Sequence, residues 1–96
     1  HGLAYLRLTI MPNSKVSFIV VNEHTLGCTY TDWPNRFQIL GTSILRGSPY
    51  DPRVDGWTFI PPNATVRPAK RADFATFQLS SEGYEKDTER YNFPTE

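Results

Sequence analysis

Every second residue of Ala4-Leu6-Leu8-Ile10 is apolar, and the same spacing resumes in Val16-Phe18-Val20 after a turn-type cluster at Met11-Pro12-Asn13-Ser14. Strand side chains point alternately to opposite faces, so this pattern lays one oily face against a core. A third run, Leu26-Cys28-Tyr30, alternates with Thr25, Thr29 and Thr31, β-branched residues that suit a pleated surface. Eight prolines and six glycines in the chain disfavour long helices and favour short segments joined by turns.

The spacing predicts strands at 3–11, 15–22 and Leu26–Tyr30, then an apolar run from Phe37 to Leu40 that continues, bent at Gly41, to Ile44-Leu45. Trp57-Thr58-Phe59-Ile60 is a further short strand, stopped by Pro61-Pro62, neither of which can donate a ladder hydrogen bond. Gly47 to Gly56 holds two prolines, two glycines and two aspartates and reads as a loop, a site candidate by position. Pro68 at a first helical position, ahead of Ala69, Ala72 and Ala75, predicts one short helix near residues 68–76.

At 96 residues the chain is expected to form a single domain over 1–96. Its tail, 80–96, is either flexible or docks Tyr84, Tyr91 and Phe93 on the body. The expected fold is mainly β: one small antiparallel β-barrel or sheet of about five strands with one short helix. Its predicted core is Leu6, Leu8, Ile10, Val16, Phe18, Val20, Leu26, Cys28, Tyr30, Phe37, Ile39, Trp57, Phe59, Phe74 and Phe77.

Chemistry is sparsely signalled. Cys28 is the one cysteine, so no intramolecular disulfide is available. It sits on the apolar face, where it serves as a small hydrophobe rather than a nucleophile activated by His24. Two histidines and one cysteine give no paired metal-ligand spacing, and no metal or cofactor is expected. Asp51 and Asp55, flanking Arg53, are expected to cap turns. No phosphate-binding loop, dinucleotide fingerprint or nucleophile elbow occurs. Catalytic residues are therefore not assigned, and an enzyme would need a site built at a subunit interface. Asn63-Ala64-Thr65 matches a glycosylation sequon.

Ten basic and ten acidic residues balance, but unevenly along the chain. Six basic residues against two acidic ones give a net of +4 from Arg36 to Arg71, and two against six give −4 from Ala72 to Glu96. Within 33–71, Trp33, Arg36, Phe37, Arg46, Tyr50, Arg53, Trp57 and Phe59 interleave aromatics with basic groups, the combination by which small β-barrels stack bases and meet phosphates. Overall neutrality weighs against that reading.

Trp, Tyr and Arg are also the residues enriched at protein-binding hot spots, and short strands leave edges open to pairing. The preferred expectation is a non-enzymatic protein-interaction or regulatory module with Tyr50, Arg53, Trp57, Arg46, Lys70 and Arg71 as candidate binding residues. A homodimer is expected because Ile19, Val21 and Leu40 fall off the predicted inward face. No apolar run has the length of a membrane span. A cytoplasmic location is expected, with secretion left open because the chain does not begin with Met.

Overall fold

The computed structural model describes residues 15–30, 35–51, 53 and 56–95. The predicted strand 3–11, with Leu6, Leu8 and Ile10, lies outside the described residues, as does Trp33.

The architecture is mainly β, as the alternation predicts, and takes the sheet alternative, not the barrel. Among the described residues six strands form it: β1 (Val16–Val21), β2 (Thr25–Tyr30), β3 (Arg36–Thr42), β4 (Trp57–Phe59), β5 (Val66–Pro68) and β6 (Tyr91–Asn92). The order is β4-β3-β2-β1-β5, and β6 joins the same side of β1 beyond β5. The β6 pairing is parallel, which makes the sheet mixed.

β1 and β2 form a hairpin in register from Val16↔Tyr30 to Val21↔Thr25. At its tip Asn22 and Glu23 adopt left-handed backbone angles, φ 53° and 60°, and the His24 N–H donates to the Val21 carbonyl at 3.1 Å. Asn tolerates that geometry through its short polar side chain, but Glu does so only when its surroundings hold it. Here they do: Asn22 Oδ1 accepts from the Thr65 N–H and hydroxyl, and the Glu23 carboxylate receives Arg67.

The predicted helix near 68–76 forms as α1 (Arg71–Thr76), starting later than expected. Pro68 ends β5, opposite Ile19, and Ala69 N–H donates to the Phe18 carbonyl. An edge strand tolerates proline, so pairing with β1 overrides the helix-start signal. The Asp73 carboxylate caps α1 by accepting from the Lys70 N–H at 2.7 Å. A second short helix, α2 (Glu82–Lys86), was not predicted.

Hydrophobic residues cover the sheet on both faces. On the first face Val16, Phe18 and Val20 of β1 and Leu26 and Cys28 of β2 pack under Ala69, Phe74 and Phe77. Phe18 is the hub, with ring centroids 5.1 Å from Phe74, 5.3 Å from Tyr84, 5.6 Å from Tyr91 and 5.9 Å from Phe93. The tail thus docks its aromatics on the body. On the second face Ile19, Val21, Phe37 and Ile39 cluster beneath Tyr50, Ile60 and Ala64.

The second face corrects the sequence expectation. Ile19 is 9% exposed and Val21 fully buried, while Leu40 packs against the first cluster. The run Phe18-Ile19-Val20-Val21 belongs to a central strand buried on both sides, so these residues give no reason for a second copy to cover them. Phe37 reaches its buried position by lying across Gly27: a Cβ there would overlap the Phe37 ring and stand 2.6 Å from the Gln38 carbonyl. The β2–β3 register shifts at this point, between Leu26 and Gly27.

Two further core assignments change. Trp57 and Phe59 are 46% and 61% exposed on β4, the last strand on that side among the described residues. The strand predicted through Ile44-Leu45 ends at Thr42, and Ile44–Arg46 instead makes a 3-10 turn closed by Gly47 at φ 83°. Glycine supplies that left-handed stop without a Cβ clash.

Candidate functional site

The six candidate binding residues do not converge. Trp57 lies on β4 at one side of the sheet, and Lys70 and Arg71 follow β5 at the other. Strands spaced ~4.8 Å apart put those two sides about 19 Å from each other. Lys70 lines a cleft of about 470 Å³ with Arg67, Pro94 and Thr95. Arg71 donates to Glu85 at 2.7 Å, and its guanidinium lies 5.0 Å from the Phe93 centroid. Arg53 pairs with Asp51 within the exposed loop. Tyr50 is half-buried, edge-on to Phe37 at 6.0 Å, so it serves as cover for the second face.

Carboxylates engage half of the basic segment: Arg53, Arg67 and Arg71. Arg67, which the sequence does not single out, forms bidentate pairs with both Glu23 and Asp73, at distances from 2.6 to 3.1 Å. These bonds hold the Glu23 and Asp73 carboxyls below the usual range and push the Arg67 guanidinium up. Arg71 and the Ser81 hydroxyl do the same to Glu85, and Arg53 to Asp51. These charges stitch the hairpin tip to α1, and α1 to α2. Arg67 and Glu23 stand 44 positions apart, so no local spacing signals the pair.

The hydroxyl cluster beside the loop is also structural. His24 Nδ1 lies 2.7 Å from Thr25 Oγ1, which lies 3.0 Å from Ser48 Oγ, and Ser48 Oγ accepts from the Tyr50 N–H. A His–hydroxyl contact is the geometry of an activated nucleophile. Thr25, however, is fully buried, and no substrate can reach it. The cluster fastens the loop to the hairpin. Burial likewise pushes the Cys28 thiol up to about 11, opposed in part by a bond with Gln38, and removes its nucleophilic form at neutral pH. Among the described residues, no three of His, Cys, Asp and Glu are grouped to hold a metal ion.

Apolar side chains mark the surface more clearly than charge does. Ile44 is 76% exposed and Leu45 wholly exposed. Their turn is held from both sides: the Ser43 N–H donates to the His24 carbonyl, and Arg46 Nη1 donates to the Glu23 carbonyl while standing 5.8 Å from the Phe77 centroid. A cleft of about 210 Å³ separates the turn from the end of α1 at Phe77 and Gln78. On β4, Trp57 stacks on Tyr30 at 5.6 Å and 7°, and Arg36 covers Phe59 at 4.7 Å. The Gly47 stop is the local signal that could have placed Ile44-Leu45 in a turn.

Comparison with family models, with curated proteins and with solved structures finds no match to this chain. No helix among the described residues is long and apolar enough to cross a membrane.

Proposed function

We propose that the chain is a non-enzymatic protein-interaction module that self-associates through the Ile44–Leu45 turn and the β4 edge. The observation that carries the reading is the full exposure of Leu45 beside a 76%-exposed Ile44 on a turn fastened by hydrogen bonds. Apolar groups held rigidly in water lose little entropy on meeting a partner, and each buried one contributes about 1.5–3 kcal/mol. Trp57 and Phe59 add aromatic area on β4, an edge strand among the described residues, where a partner strand can pair. The contact chemistry of this reading is the same inside and outside the cell.

Nucleic-acid binding has less support. Exposed Trp57 and Phe59, the latter under Arg36, favour base stacking. Against it, Arg53, Arg67 and Arg71 are each neutralised by carboxylates, which leaves few counterions to release. An enzyme assembled at a subunit interface has no specific observation in its favour.

Sedimentation at rising concentration tests the proposal. The wild-type chain is expected to exceed its 11.0 kDa monomer mass at high micromolar concentration, and Leu45→Asp to stay monomeric with an unchanged urea midpoint. A wild-type monomer throughout overturns self-association. Micromolar, salt-sensitive binding of an oligonucleotide that is lost in Arg36→Glu puts nucleic-acid binding first.

A further inference from the structure

We propose that Asn63 is an acceptor for an N-linked glycan. Of the asparagines in the chain, at 13, 22, 35, 63 and 92, Asn63 alone stands two residues before a hydroxyl residue. Its sequon, Asn63-Ala64-Thr65, is free of proline, and Val66 follows it.

The structure adds what the triplet alone lacks. Asn63 is exposed in the turn after Pro61-Pro62 and makes no hydrogen bond among the described residues. Its neighbours are pinned: Ala64 packs on the second-face cluster with its N–H on the Pro61 carbonyl at 3.0 Å, and Thr65 is tied to Asn22. Asn63 is thus presented on a fixed support with no hydrogen bond among the described residues to break. A glycan there stands over the connection that covers the second face. Ile44 and Leu45 adjoin Phe77 of the first-face core, so the inference is independent of the self-association reading. Passage through an oxidising compartment is compatible with the fold, because the one cysteine is buried and has no second thiol in the chain to mispair with.

The donor is a polyprenyl-pyrophosphate-linked oligosaccharide presented by an oligosaccharyltransferase. The bond from Asn63 Nδ2 to the sugar C1 forms, and the C1–O bond to pyrophosphate breaks. One amide proton passes to a base of the transferase, and the lipid pyrophosphate leaves with the electron pair.

Intact mass tests the assignment on the chain recovered from its native source, and on the chain translated behind a signal sequence with microsomes. Both are measured before and after peptide N-glycosidase. The expected result is added mass of whole sugar residues, removed by the amidase with conversion of Asn63 to Asp. It is lost in Asn63→Gln and kept in Thr65→Ser, which retains the hydroxyl that donates to Asn22 Oδ1. An unshifted wild-type mass in either preparation overturns the proposal, as does sugar retained in Asn63→Gln.

Discussion

The two faces of the sheet are covered in different ways. Over the first, regular elements supply large rings: Phe74 from α1, Tyr84 from α2 and Tyr91 from β6, with Phe93 just beyond, all around Phe18. Ion pairs lock that cover, Arg67 with Asp73 and Arg71 with Glu85. Over the second face, the described residues that add cover are single ones from connections, Tyr50, Ile60 and Ala64, against a smaller described cluster of Ile19, Val21, Phe37 and Ile39. Aromatic area and interlocked elements concentrate cohesion on the first face, while the second is closed by chain that must cross it to reach β4 and β5.

Truncation within β1 breaks or upholds this contrast most directly. Phe18→Ala removes the hub of the aromatic cluster and should cost about 3–5 kcal/mol. Val21→Ala, under the lighter cover, should cost about 2 kcal/mol, and both are read as shifts in urea midpoint at constant slope. Equal losses would mean the two covers cohere alike. Aspartate substitutions sharpen the test: Phe18→Asp and Ile19→Asp should both unfold the domain, because each buries an unpaired charge. A stable Ile19→Asp would return β1 to a strand with one wet face.

Gly27 is where the second face meets the strand beneath it. Gly27→Ala drives a methyl into the Phe37 ring and to within 2.6 Å of the Gln38 carbonyl, and the latter is backbone that cannot step aside. The expected cost is about 3 kcal/mol, with the near-ultraviolet signal of the Phe37–Tyr50 pair altered. A neutral Gly27→Ala would show that Phe37 does not lie across β2.

This contrast also explains what was legible in advance. β1, β2 and the start of β3 follow from alternation, and so do most of the first-face residues, because period 2 is a local property. The second face was hidden inside the same string: Phe18-Ile19-Val20-Val21 satisfies an alternating template and a doubly buried strand equally well. β5 and β6 are three and two residues long and extend only because β1 offers them an edge. The surroundings of the candidate site residues are not a local property. Composition placed Arg53 and Arg71 among the candidate binding residues, but which carboxylate pairs with each depends on what the fold brings near. Exposure of Leu45 is legible only once Gly47 is seen to end a turn.

The lock on the first face comes next in size. Asp73→Ala removes two bonds from Arg67 and the cap on Lys70 N–H, and should cost about 2 kcal/mol. Its pH dependence has a definite sign. Asp73 and Glu23 have folded-state pKa values below their ordinary ones, so between the two the unfolded chain binds more protons than the folded one. The contribution is full above the ordinary carboxylate range, about pH 4, and is lost as pH falls through the folded values. Asp73→Asn should therefore flatten the stability profile below about pH 4. An unchanged acid limb in that variant would detach the Arg67 pairs from stability.

The smallest effect is a gain. Gln78 closes α1 in the left-handed region at φ 56°, with its N–H on the Ala75 carbonyl and the Leu79 N–H on the Phe74 carbonyl. That is the hydrogen-bond pattern in which a helix end favours glycine, since a side chain there crowds its own carbonyl. Gln78→Gly should relieve the crowding and stabilise the domain by about 0.5–1 kcal/mol, net of the greater freedom glycine gives the unfolded chain. The gain should vanish in a Phe74→Ala background, where the helix end no longer anchors on the aromatic cluster. A loss of stability in the single variant would mean that the Gln78 side chain, at the rim of the cleft facing Ile44 and Leu45, contributes more through its contacts than its backbone costs.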